Sequence, residues 1–126
     1  MVWLFGGGRN NKNKKLKEEV EKIDKDIEKL LEEAKKNPFG KNEEYRKLIE
    51  KILEEIEEHK KSLHKLYGSK PNDFPELENV ELYLREYYKI LEAVITPHTV
   101  AIPYGWLESR WQAIEENWHR HKIKFL

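Results

Sequence analysis

Two runs of heptad-spaced apolar residues, separated by a short break, constrain this chain more than any other feature. Leu16, Val20, Ile23, Ile27, Leu30 and Ala34 recur at alternating steps of four and three, and Tyr45, Ile49, Ile52, Ile56, His59, Leu63 and Leu66 repeat the pattern. Such steps keep side chains on one face of a helix, so each run is a seam that has to be covered. Asn37-Pro38-Phe39-Gly40 lies between the runs. Proline lacks the helical N–H and clashes with the preceding turn, so no helix passes through this stretch. A connection this short folds the two arms back on each other. Centring the register on the break sets Ala34 against Tyr45, Leu30 against Ile49, Val20 against His59 and Leu16 against Leu63.

The first helix is expected from about Asn11 or Asn13, with an asparagine as cap, to Lys36. The second is expected from an Asn42 cap to Tyr67, with Gly68 as its stop. Leu31, Leu48 and Leu53 widen the stripes sideways, so the hairpin needs a third layer from this chain or from another copy. His59 stands in the seam where an aliphatic residue is expected. It reads as a packed neutral ring whose edge reaches solvent or a neighbouring Glu, with a register-fixing or pH-sensing role as the sharper alternative.

The second half supplies further helices. Asp73-Phe74-Pro75-Glu76 carries the marks of a helix start, an Asp cap, a first-turn Pro and a Glu three residues on. Leu77, Val80, Leu84, Tyr87, Leu91 and Val94 form the stripe of a helix over 74–95. Leu82, Tyr83, Tyr88, Ile90 and Ile95 widen it, which places this helix centrally. Thr96 to Gly105 has prolines at 97 and 103 and β-type residues between, so an extended crossing is expected. Leu107, Trp111, Ile114 and Trp118 mark a last helix over 106–121. The predicted fold class is all-α: a long antiparallel helical hairpin (16–67) plus two further helices, four-helix bundle-like, with a short extended segment before the last helix. Residues 16–126 form one helical domain, and residues 1–15 form an N-terminal docking arm.

That arm has an apolar tip, Val2, Trp3, Leu4 and Phe5. Gly6-Gly7-Gly8 follows and is expected to break any helix and act as a swivel. Next comes a basic collar of Arg9, Lys12, Lys14, Lys15 and Lys17. Each buried tip residue offers roughly 1.5–3 kcal/mol before ordering costs, which is marginal for a single copy on a membrane. Protein, the chain's own or a neighbour's, is therefore the expected dock, with a membrane surface as an alternative. At the other end, Trp106, Trp111, Trp118 and Phe125 are core candidates and also candidates for an interface, where tryptophan is enriched. Arg120, Lys122 and Lys124 form a basic tail. This layout resembles that of subunits of the ESCRT-III membrane-remodelling family in residues 1–66 as layout only. No motif is shared, the hairpin is charge-balanced and the Trp-rich end has no counterpart there, so no function is carried over.

Twenty-four basic side chains balance 24 acidic ones and there is no cysteine. Zero net charge argues against a surface that grips nucleic acid everywhere, and the missing thiols exclude disulfides and thiolate chemistry. The Lys and Glu excess suits a thermophile. Glu116-x-x-His119 has the spacing of a di-metal ligand pair but lacks its required second copy. A His119/His121 surface pair would splay apart on a helix. Ser62, Ser69 and Ser109 sit in no nucleophile elbow, and Arg110 with His119 has no spacing that marks an acid–base pair. The expected catalytic, cofactor and metal sites are none. The expectation is a non-enzymatic, self-assembling structural subunit or adaptor that is homo-oligomeric, in a particle, filament or scaffold of a thermophilic organism or its virus. The alternatives are a nucleic-acid-associated protein clamping phosphates with the collar and tail, and a membrane-surface scaffold. No segment reads as a signal peptide or a membrane span, which suggests a cytoplasmic or intracellularly assembled protein.

Overall fold

The computed structural model describes the backbone of residues 2–38, 40–68, 73–94 and 104–126, and the side chains of 14–38, 40–68, 73–93 and 105–126. Four helices follow one another: α1 (Val2–Lys36), α2 (Asn42–Tyr67), α3 (Pro75–Val94) and α4 (Tyr104–Lys122). Each packs on the next, and α4 returns to α1. Ion pairs and hydrogen bonds fix the directions. Lys60 reaches Glu81 and Tyr88 reaches Glu50 between α2 and α3. Arg110 meets Glu86, and Lys124 meets Glu76, between α3 and α4. Neighbouring helices therefore all run antiparallel, giving an up-down-up-down four-helix bundle.

The heptad seams are the core. Leu16, Val20, Ile23, Ile27, Leu30 and Ala34 from α1 are buried together with Tyr45, Ile49, Ile52, Ile56 and Leu63 from α2. α3 adds Leu77, Val80, Leu84, Tyr87 and Leu91, and α4 adds Leu107, Trp111, Ile114 and Trp118. Cross-helix bonds between Glu19 and His59, and between Glu33 and Tyr45, lie within one turn of the predicted register. α3 and α4 supply the third layer, so this chain covers the hairpin's open flank itself. Leu82, expected to widen the α3 stripe, is instead 51% exposed.

The helix ends explain the boundaries. The Tyr45 hydroxyl donates to the Asn37 carbonyl (2.7 Å) and also lies 3.0 Å from that of Glu33, which already accepts the Asn37 N–H, so it braces the end of α1. The Asn37 side chain folds over Gly40, where a Cβ would make it turn aside. Gly68 adopts φ 59° and its N–H donates to the His64 carbonyl at 2.8 Å, the left-handed stop expected for α2. Asn42 is not the cap of α2. Lys41 holds that position with no side-chain cap bond, and its carbonyl accepts the Tyr45 N–H.

A larger difference concerns the N-terminus. α1 starts at Val2 and is continuous through Gly6-Gly7-Gly8, so there is no swivel. Glycine in a helix costs about 1 kcal/mol relative to alanine. Unlike proline, it keeps the backbone donor, so three in a row weaken a helix without blocking it. α4 starts at Tyr104, two residues earlier than predicted. The extended crossing otherwise falls on residues 95–103, outside those described.

Candidate functional site

The most unusual chemistry in the bundle is a buried polar chain at the end where α2 and α4 finish. His59, in the middle of the apolar seam of α2, is fully buried, as is His121 in the last turn of α4. Their Nε2 atoms face each other at 2.9 Å. His59 Nδ1 lies 3.0 Å from Glu19 Oε1 on α1, and Ser62 Oγ donates to Glu19 Oε2 at 2.7 Å. Phe74, Trp118 and Phe125 close around the rings, with His121 5.0 Å from Phe125 and 5.7 Å from Trp118 between centroids.

Hydrogen-bond logic fixes the tautomers. An ionised Glu19 only accepts, so Ser62 Oγ–H and His59 Nδ1–H both point to it. Neutral His59 then presents an Nε2 lone pair, and His121 Nε2–H donates to it. That leaves His121 Nδ1 as a buried nitrogen without a hydrogen-bond partner. Burial pushes both rings toward the neutral form. His59 is lowered by desolvation, partly countered by the adjacent Glu19. His121 is lowered to about 3, first by desolvation, then by His59 and Lys124, with Glu76 opposing.

This cluster is not a nucleophilic triad. The serine proton is committed to Glu19 rather than to an imidazole, and both histidines are closed to solvent. No group of three or more His, Cys, Asp or Glu side chains converges on a metal position among the described residues. Glu116 and His119 are both exposed, and Arg110 is paired with Glu86 at 3.0 Å.

One heptad along the same face lies a second polar pair. Asp26 and Glu55 bring two carboxyl groups together, with Lys22 3.6 Å from Glu55 and Lys51 3.4 Å from Asp26. Desolvation, followed by the hydrogen bond and charge of Asp26, pushes Glu55 up to about 7, against the pull of Lys22 and Lys51. Burial and the neighbouring Asp26 carboxyl thus favour the protonated form of Glu55.

The predicted interface residues separate into three groups. Trp111 and Trp118 are buried inside the bundle, so they are core rather than docking surface. Trp118 Nε1 donates to Asp24 Oδ1 at 2.8 Å, and Lys122 reaches the same oxygen at 3.2 Å, clasping α4 to α1. Trp111 packs edge-on against Tyr87, whose hydroxyl burial pushes up to about 12. Phe125 is half-buried against both histidines and Phe74. Trp106 alone of these four is an exposed apolar surface, at 61%. The side chains of Val2, Trp3, Leu4 and Phe5 lie outside those described.

The basic residues divide similarly. Lys14, Lys15, Lys17 and Arg120 are exposed. Lys122 and Lys124 are engaged with Asp24 and Glu76, which leaves less of the tail for phosphates. Arg9 and Lys12 lie outside the described side chains. A groove of about 570 Å³ runs between α1 and α4, floored by Ile27, Leu31 and Trp118 and edged by charged residues.

His121 is the residue that sequence reasoning misplaced, as half of a surface pair with His119. The signal was present, because Leu107, Trp111, Ile114, Trp118, His121 and Phe125 continue one stripe at steps of four and three. No family model, curated protein or solved structure matches this chain.

Proposed function

We propose that this protein is a non-enzymatic assembly subunit or adaptor that docks through the N-terminal part of α1. One observation carries the reading. α1 has 35 residues where its hairpin partner α2 has 26, about 52 Å against 39 Å at 1.5 Å per residue. The surplus lies at the N-terminal end, where α2 has finished at Tyr67, and its first residues are Val2, Trp3, Leu4 and Phe5. A helix end with such a sequence that runs past the end of its hairpin partner calls for a cover elsewhere. Exposed apolar residues at the same end, Tyr67, Ile123 and Leu126, support a second copy of this chain as that partner. No helix among the described residues is long and apolar enough to cross a membrane.

Sedimentation of the full chain and of a form lacking residues 2–8 tests this. The full chain is expected to sediment as a discrete oligomer and the shortened chain as a folded monomer. Equal masses together with lost binding to anionic vesicles would replace self-assembly by membrane docking.

A further inference from the structure

We propose that the contact between His59 and His121 is an acid-operated latch on the C-terminal turn. The pair tolerates one proton beyond its neutral form, and a second added proton drives His121 and the residues after it off the end of the hairpin. This goes beyond the docking role and does not depend on it.

The argument is one of lone pairs. With both rings neutral, a single N–H lies between the two Nε2 atoms at 2.9 Å. A first added proton can enter at His121 Nδ1, the nitrogen without a partner. The bridging proton then moves across to His59 Nε2. The positive charge sits on His59 beside Glu19, and His121 becomes a neutral acceptor, so the contact survives. A second proton leaves no lone pair between the rings. Two N–H groups and two like charges would face each other in an apolar pocket, and the contact has to open.

The fold decides which side gives way. His59 lies within α2, four residues before Leu63 in the buried seam, and is tied to Glu19. His121 is in the last turn of α4, where regular helix gives way after Lys122 to turns over 123–125. The groups facing the rings are Glu19 from α1, Ser62 from α2, Phe74 just before α3 and Glu76 within it, and Trp118 from α4 with Lys124 and Phe125 just after it. Of the acids, Glu19 can neutralise only the first charge. Glu76 is already engaged with Lys124 at 3.1 Å, and its pKa is lowered by its own backbone N–H and then by Lys124. That ion pair persists in mild acid, so Glu76 stays committed to Lys124 rather than to the second charge. Lowering of both histidines by burial is consistent with this order of events.

Amide hydrogen exchange on the full chain from pH 7.5 to 4, corrected for intrinsic chemistry, reads the latch directly. Protection of residues 121–126 is expected to fall at least tenfold while residues 49–56 stay protected. His121→Gln keeps a donor near the Nε2 position but cannot charge, so its C-terminal protection is expected to stay level over the same range. Histidine 15N shifts should show one ring charging before the turn opens. Parallel loss of protection in both segments, or the same acid release in His121→Gln, would overturn the proposal. Should that variant fail to fold, the two segments of the unaltered chain still decide the matter.

Discussion

The same face of the hairpin holds two buried polar clusters one heptad apart, and they solve burial in opposite ways. At Glu19 a carboxylate meets a hydroxyl and an imidazole, both of which donate to it. At Asp26 a carboxyl lies beside another carboxyl, and burial favours the protonated form of Glu55. The first cluster is poised against gaining protons and the second against losing one. A seam position is thus not intrinsically acidic or basic. Its behaviour is set by what the opposite helix presents one turn away.

The largest test of this contrast is to remove each acid. Glu19→Ala leaves two buried donors without an acceptor and is expected to lower unfolding free energy by about 2–4 kcal/mol. Asp26→Asn removes a like charge and is expected to be neutral or slightly stabilising at pH 7. Urea denaturation measures both, and equal losses would erase the distinction.

The pH profile comes next. His121, lowered to about 3, binds its proton more readily in the unfolded chain, so stability falls as pH drops from about 6.5 toward 3. The full span is worth a few kcal/mol at about 1.4 kcal/mol per unit. Glu55, raised to about 7, binds its proton more readily in the folded chain. Its contribution grows as pH drops from 7 toward 4.5, by about 1–2 kcal/mol after solvent screening. Melting temperatures across this range should therefore change little between pH 7 and 5 and fall steeply below. His121→Gln should remove the steep limb, and Glu55→Gln should flatten the opposing one. A profile unmoved by either variant would deny these groups their part.

Smaller effects sharpen the picture. Ser62→Ala deletes one donor to Glu19 and is expected to cost about 1 kcal/mol. Lys51→Ala removes a half-exposed cation beside Asp26 and should cost under about 0.5 kcal/mol, while raising the pH at which Glu55 titrates. A Lys51 effect exceeding that of Ser62 would mean that the lysines, rather than protonation of Glu55, stabilise the carboxyl pair.

The bundle was legible because apolar periodicity reports directly on which residues face inward. Every seam residue from Leu16 to Leu63 is buried, and the break at Asn37–Gly40 is the turn. The polar clusters were legible only in part: a neighbouring Glu was expected at the edge of His59, as Glu19 proves to be, but Glu19, Asp26 and Glu55 flank the seam at positions that in most helices face water. Their burial comes from the side-by-side packing of α1 and α2, which sets Glu19 against His59 and Ser62 and Asp26 against Glu55. The Gly6–Gly8 run misled for a different reason, since helix propensity is a weak prior beside continuity with a long stable helix.

The Tyr45 hydroxyl bridging the carbonyls of Asn37 and Glu33 has a bearing on how folding begins. Its partners lie only eight and twelve residues upstream, so the loop it closes is short and entropically cheap. Local contacts of this sort form early, before distant segments meet. The hairpin thus contains its own nucleus, from which the arms can zip toward the histidine end, with α3 and α4 joining a template already aligned.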